Sequence, residues 1–252
     1  MNNRIYPDIS LACQHADNFL WNAYERSALV QFRNLGEGRL LFPNYRGGLL
    51  RVSEQEARFA FVESLNRGPL LYSVEAPTDK LYQFTGKTPL SAQTDLALHD
   101  GNGKRICNVE FKAKGVSPSA NKHFSISKDL QKLLREPIWG LWFHLLESVN
   151  NSTINNFLSV LAAQIWEVHQ KFIGDIESPG LTIHICVLQH GFSLQKDLTI
   201  SRNAGFGLED LRRLLRLDLS VSRYELLGVE NQNEWELYRY AKTPANKDRQ
   251  PT

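Results

Sequence analysis

Asp95, Glu110 and Lys112 are the residues whose types and spacing point most directly to chemistry. They lie in TDLALHDGNGKRICNVEFKAKG, Thr94 to Gly115, where fourteen residues separate the aspartate from a Glu-Phe-Lys triplet. Asn102-Gly103 between them is a strong signal for a two-residue type I′ hairpin loop. With those two residues as the loop, Gly101 pairs with Lys104, His99 faces Ile106, Leu98 faces Cys107 and Leu96 faces Val109. Asp95 then faces Glu110, and Gln93 faces Lys112. Side chains alternate between the faces of a strand. Leu96, Leu98, Cys107, Val109 and Phe111 therefore share an apolar face, and Gln93, Asp95, Ala97, Asn108, Glu110 and Lys112 share the other. A slip of one residue would mix the two sets, so the hydrophobic pattern supports this register. Moving the loop to Gly101-Asn102 preserves the faces and makes the Asp95–Glu110 contact diagonal.

Two carboxylates directly opposite each other, with β-carbons about 4.5–5.5 Å apart, repel. A divalent cation turns that repulsion into binding, and Mg²⁺ typically takes one or two carboxylates while keeping several waters. Lys112, two residues along on the same face, is placed to hold or activate an attacking water or to offset charge on a phosphate. Together these are the parts of metal-assisted phosphodiester hydrolysis. The plainer reading is a solvated pair of acids neutralised by a neighbouring lysine. Against it, Glu110–Lys112 is the only Glu/Asp-x-Lys in the chain and falls on an expected strand.

Those residues need elements to position them. Apolar spacing predicts a helix over residues 16–34, then a loop with Pro43 and Gly47-Gly48. A second helix over 54–66 opens at Ser53 with Glu56 three residues later, a capping-box signature. Strands are expected at 70–76, 80–85, 92–99 and 104–113. A short helix at 127–135 places Leu130, Leu133 and Leu134 on one side and stops before Pro137. The short aromatic-rich stretch GLWFHLLES from Gly140 reads as a buried strand, with a helix as the alternative. The clearest helix follows, with Ile154, Phe157, Leu158, Leu161, Ile165, Val168 and Phe172 at three- and four-residue steps. A further buried strand starts at Leu181, a basic helix spans 207–217, and YELLGV and WELYRYA close the sheet. The fold class is α/β, a mixed sheet with helices on both faces. Residues 1–50 read as a helical extension, 51–242 as the main domain and 243–252 as a frayed tail.

Composition narrows the function classes. The 252 residues are 42% hydrophobic and 22% charged, which excludes a disordered chain. The net charge of +2 means that any nucleic-acid contact must come from local placement. No apolar run is long enough to span a bilayer, and the first residues lack the apolar segment of a signal peptide. Three cysteines without a CxxC pair read as reduced thiols, so the cytoplasm is the expected compartment and no membrane partner is expected. His144 and His184 fall within apolar strands and read as core. Arg212, Arg213 and Arg216 form a basic stripe or an exposed face.

The aspartate, the Glu-Phe-Lys triplet and the order of elements around them resemble the PD-(D/E)XK nuclease superfamily. Its αβββαβ core would cover about Ser53 to Ser148, with Thr94 where the signature often has proline. The resemblance implies a restriction-endonuclease-like core and Mg²⁺, with Mn²⁺ as substitute, bound by Asp95, Glu110 and the Phe111 carbonyl. Lys112 would position or activate the attacking water. Members often add a glutamate from the preceding helix, here Glu56, with Glu63 two turns on; the capping box with Ser53 is the competing role of Glu56. Gln93 would orient the water or fill the rim. Lys114, Lys122, Lys128 and Lys132, with Arg135, would track a phosphate backbone or form a solvated surface. The expected activity is endonucleolytic cleavage of nucleic acid, DNA favoured, in a setting such as restriction or phage defence, with a homodimer allowed. The alternatives are a catalytically inactive nucleic-acid- or protein-binding module, and a nuclease subunit that needs a partner or second messenger.

Overall fold

The described strands form one sheet and lie in it in sequence order. They are β1 (Leu71–Tyr82), β2 (Leu90–His99), β3 (Arg105–Ala113), β4 (Trp139–Leu146), β5 (Leu181–Val187), β6 (Phe192–Leu198) and β7 (Glu236–Arg239). The structure is a computed structural model that describes residues 5–28, 40–43, 50–84, 88–113, 120–200, 206–217 and 235–240, without the side chains of 28, 120–125 and 151. β3, β4 and β5 run parallel, and every other neighbouring pair is antiparallel. Parallel neighbours require long crossovers, which α3 (Ala120–Arg135) and α4 (Asn151–Lys171) supply. α1 (Pro7–Ala28) and α2 (Glu54–Leu65) share a core with Leu96, Leu98, Cys107, Val109 and Phe111. α3, α4 and α5 (Leu208–Leu215) share a second core with Trp142, Ile183 and Ile185. The expected mixed sheet with helices on both faces is therefore present.

Every residue of β4 is buried, as a parallel strand covered on both faces requires. Gly140 matters for this packing: a β-carbon there would lie 2.9 Å from the Leu133 backbone oxygen and from its β-carbon. Only glycine lets the end of α3 come this close to the sheet, and α3 carries two residues of the site described below.

Several boundaries differ from expectation for local reasons. α1 begins at Pro7, where a proline suits a first helical turn. Its stripe of Ile9, Ala12, Cys13, Ala16, Leu20 and Ala23 is buried in the same core as α2, although polar Gln14, His15 and Asp17 interrupt it in sequence. Residues 29–34 of the expected first helix, the strand YELLGV and the last ten residues lie outside the described residues. The two strands expected at 70–76 and 80–85 are one strand, β1, with an irregularity between Pro77 and Leu81. The backbone amides of Asp79 and Lys80 freed there donate to the buried Glu136 carboxylate at 3.0 and 3.1 Å, and Tyr82 adds its hydroxyl at 2.9 Å. Among the described helices none is long and apolar enough to cross a membrane.

β6 alternates Phe192, Leu194 and Leu198 with polar Ser193, Gln195 and Asp197, and Ser193 and Gln195 point into a buried polar network instead of solvent. Ser193 donates to Asp17 at 2.6 Å, and His184 lies 3.0 Å from Asp17 through Nε2 and 3.2 Å from Gln195 through Nδ1. Asp17, His184 and Ser193 are all fully buried, so this network ties α1 to β5 and β6. Removing the carboxylate leaves two buried partners unsatisfied. Asp17→Ala is expected to cost about 3 kcal/mol in urea unfolding, and an unchanged midpoint would show that the network contributes nothing net.

Candidate functional site

The β2–β3 hairpin reaches the expected register by a different route. Its loop is Gly101-Asn102-Gly103, with Gly103 at φ +78°. Gly103 N–H donates to the Asp100 carbonyl at 2.9 Å, and Asp100 pairs with Lys104. The Asp100 carboxylate accepts from the Asn102 and Lys104 amides at 2.9 Å each, which favours this three-residue turn over the expected type I′ loop. Two expected pairings are thereby corrected: Lys104 pairs with Asp100 instead of Gly101, and His99 pairs with Arg105 instead of Ile106. Ile106 is an extra residue on β3, a bulge that restores Leu98 to Cys107 and Leu96 to Val109. From there down, the strands stand as the hydrophobic pattern requires.

Backbone pairing of β2 with β3 ends at Leu96–Val109, just where the acids begin. Beyond it the Asp95 carboxylate accepts the Phe111 backbone amide at 2.8 Å. Thr94 donates its hydroxyl to the Val109 carbonyl at 3.1 Å. The Phe111 ring is buried against Phe61 and Phe143, with centroids 5.6 and 5.7 Å away, which fixes the backbone that carries the neighbouring Glu110 and Lys112.

α3 supplies the partners. Asp129 and Lys132 project from it onto the face of β3 that bears Glu110 and Lys112. Lys132 Nζ lies 2.7 Å from Glu110 Oε1 and 2.9 Å from Asp129 Oδ1, and donates to the Gln93 carbonyl at 2.9 Å. Lys112 Nζ lies 2.8 Å from Asp129 Oδ2 and 3.6 Å from Glu54 Oε1 on α2. Arg58, also on α2, reaches Asp95 at 3.6 Å. The cluster thus alternates four carboxylates with three cations. Glu110 is 1% exposed. Glu110 Oε1 and Asp129 Oδ2 are in ion-pair contact with the lysines but lack an aligned hydrogen-bond donor.

Burial and charge set the ionisation of the group. Burial, together with Asp129 and against the pull of Lys132, pushes the Glu110 carboxyl well above the ordinary glutamate range, and Asp95 adds to the rise. Burial works against the Lys112 ammonium, but Asp129 and Glu54 outweigh it and hold its pKa above the usual lysine value. Lys132 behaves likewise, burial being outweighed by Glu110 and Asp129. For Asp129, burial is outweighed by Lys112 and Lys132, which hold it below the usual aspartate value.

No protein-family model, curated protein or solved structure matches this chain. Asp95 accepts the Phe111 amide between Glu110 and Lys112, but the expected Asp95–Glu110 and Gln93–Lys112 pairings are not part of the β2–β3 ladder, which ends at Leu96–Val109. Gln93 joins through its carbonyl, its side chain being exposed. Glu56 is held by Ser53 and by Arg51 at 3.5 Å, so the α2 carboxylate nearest Lys112 is Glu54. Lys132 is buried inside the cluster and Lys128 stands 5.4 Å over the Phe84 ring, whereas Lys114 and the Lys122 side chain lie outside the described residues. Asp129 escaped notice, yet it shares the stripe of Ile126, Leu130 and Leu133, all buried. A carboxylate on an apolar stripe is the signal that could have found it.

A carboxyl whose folded pKa is raised contributes stability that is lost as pH rises beyond its unfolded value. Glu110→Gln forms no such charge. Its melting temperature relative to the unsubstituted protein is expected to rise as pH increases above the ordinary glutamate range. A difference that stays flat or falls over that increase would contradict the assigned direction.

Proposed function

We propose that the chain is a divalent-metal-dependent nuclease of the PD-(D/E)XK type, hydrolysing phosphodiester bonds in nucleic acid, DNA favoured. The observation that carries this reading is the convergence of Asp95, Glu110 and Lys112 at the parting of β2 and β3. Around it the chain runs α2, three antiparallel strands, α3 and β4. The donor set suits a hard cation, since Asp95, Glu110 and the Phe111 carbonyl all offer oxygen. Glu110 Oε1, buried and held by the Lys132 ammonium at 2.7 Å, is an oxygen of the type such a cation takes.

Asp95, Glu110 and the Phe111 carbonyl would hold the metal, which when bound lowers the pKa of a coordinated water and polarises a phosphoryl oxygen. The protein groups do the rest. Lys112 is a cation at neutral pH, so it acts by orienting the water and stabilising phosphate charge rather than by accepting a proton. Asp129 fixes the Lys112 ammonium, and Arg58 fixes Asp95. One observation favours a second reading, a non-catalytic binding module: Lys132 balances Glu110 and Asp129 without any metal.

Incubation with supercoiled and linear DNA in Mg²⁺ or Mn²⁺ separates the two. The nuclease reading expects cleavage abolished by EDTA and reduced by at least about 100-fold in Asp95→Ala, Glu110→Ala and Lys112→Ala. Cleavage that survives all three substitutions removes the site. Salt-sensitive binding without products or metal dependence supports the second reading.

A further inference from the structure

A buried carboxylate needs a cation, and the cation beside Glu110 is a lysine seated as a metal ion would be. Lys132 Nζ is surrounded by three oxygens from three different elements: Glu110 Oε1 of β3 at 2.7 Å, Asp129 Oδ1 of α3 at 2.9 Å and the Gln93 carbonyl of β2 at 2.9 Å. An ammonium has three donors and no acceptor. Two carboxylates and a carbonyl are also the ligand types of a hard divalent cation. The lysine is 7% exposed, so its charge is shielded from solvent and spent on these oxygens. Among the described residues no three acidic, imidazole or thiol groups are already gathered as a metal shell. The ammonium lies between the acids that would form one.

We propose that Lys132 is the resident cation of this site: its ammonium holds the position a divalent ion takes on loading, so that Asp129 and the Gln93 carbonyl join Glu110, Asp95 and the Phe111 carbonyl around the ion and the lysine must leave. This rests on the metal-dependent reading above. Lysine and metal exclude each other, because they claim the same oxygens and because metal–oxygen bonds of about 2.0–2.6 Å are shorter than the ammonium contacts. The device has a physical reason. Without any cation Glu110 would be an unpaired buried charge, costing several kcal/mol. It also explains how Lys112 keeps its place, since Asp129 faces Lys132 with Oδ1 and Lys112 with Oδ2. Exchange at one oxygen leaves the other holding Lys112 beside the ion.

Mn²⁺ binding, followed by electron paramagnetic resonance and calorimetry on the full chain, tests this. Lys132→Met is expected to bind Mn²⁺ about ten-fold more tightly than the unsubstituted protein, and Asp129→Asn about ten-fold more weakly. A second measurement needs no destabilising substitution. The shielded Lys132 ammonium should give a resolved nitrogen-15 NMR signal, assigned by its loss in Lys132→Arg. Saturating Mg²⁺ should move that signal to the position of solvated lysines. Mn²⁺ binding that requires Asp95 and Glu110 but is unchanged or weakened in Lys132→Met overturns the displacement and leaves the metal site standing. So does a Lys132 signal unmoved by saturating Mg²⁺. Binding that neither Asp95→Asn nor Glu110→Gln weakens, in either background, overturns the metal reading and this inference together.

Discussion

The burial of one carboxylate governs the centre of this molecule. Glu110 sits on β3 with almost no contact with solvent, and an ionised acid there is tolerated only with a cation in direct contact. The cation comes from the other side of a parallel crossover. α3 leaves β3, returns over the sheet and enters β4, and on the way it lays Lys132 and Asp129 against Glu110 and Lys112. Gly140 permits that approach, since any larger residue would collide with the end of the helix. Glu136, just past α3, then binds the backbone amides of β1, so the helix is held to the sheet at both ends of the site.

Charge order follows from this geometry. Acids and bases alternate from Arg58 to Asp95, from Glu110 to Lys132, and from Asp129 to Lys112 and Glu54. Glu110 and Glu54 each feel the repulsion of Asp95 and Asp129, which the lysines between them offset. On the proposed reading, such a network takes up a divalent ion by releasing a lysine that it already holds. That exchange would link a stable metal-free fold to the proposed metal site.

Much of the frame could be read from the residues themselves. The apolar set Leu96, Leu98, Cys107, Val109 and Phe111 allows one register only, and it imposed that register even though the turn differs. A loop one residue longer than expected and a bulge at Ile106 offset each other, because the buried face could not be given up. Long periodic helices such as α4 were equally plain. What stayed hidden depends on contacts between distant segments. The inward side chains of β6 are polar because Asp17 and His184, far away in sequence, satisfy them. Lys132 reads as a surface lysine until the fold places it beside Glu110. Glu56 has the spacing of a metal ligand and also of a capping residue, and local partners Ser53 and Arg51 decide where it goes.

The central claim is that Asp95 and Glu110 belong to one metal site. A crystal soaked in Mn²⁺ and measured for anomalous scattering addresses it directly. The account predicts a single strong peak bonded to Glu110, close to Asp95 and Asp129, with the Lys132 ammonium displaced from its three oxygens. A crystal in which Mn²⁺ binds elsewhere, with Lys132 still seated between Glu110 and Asp129, would contradict it.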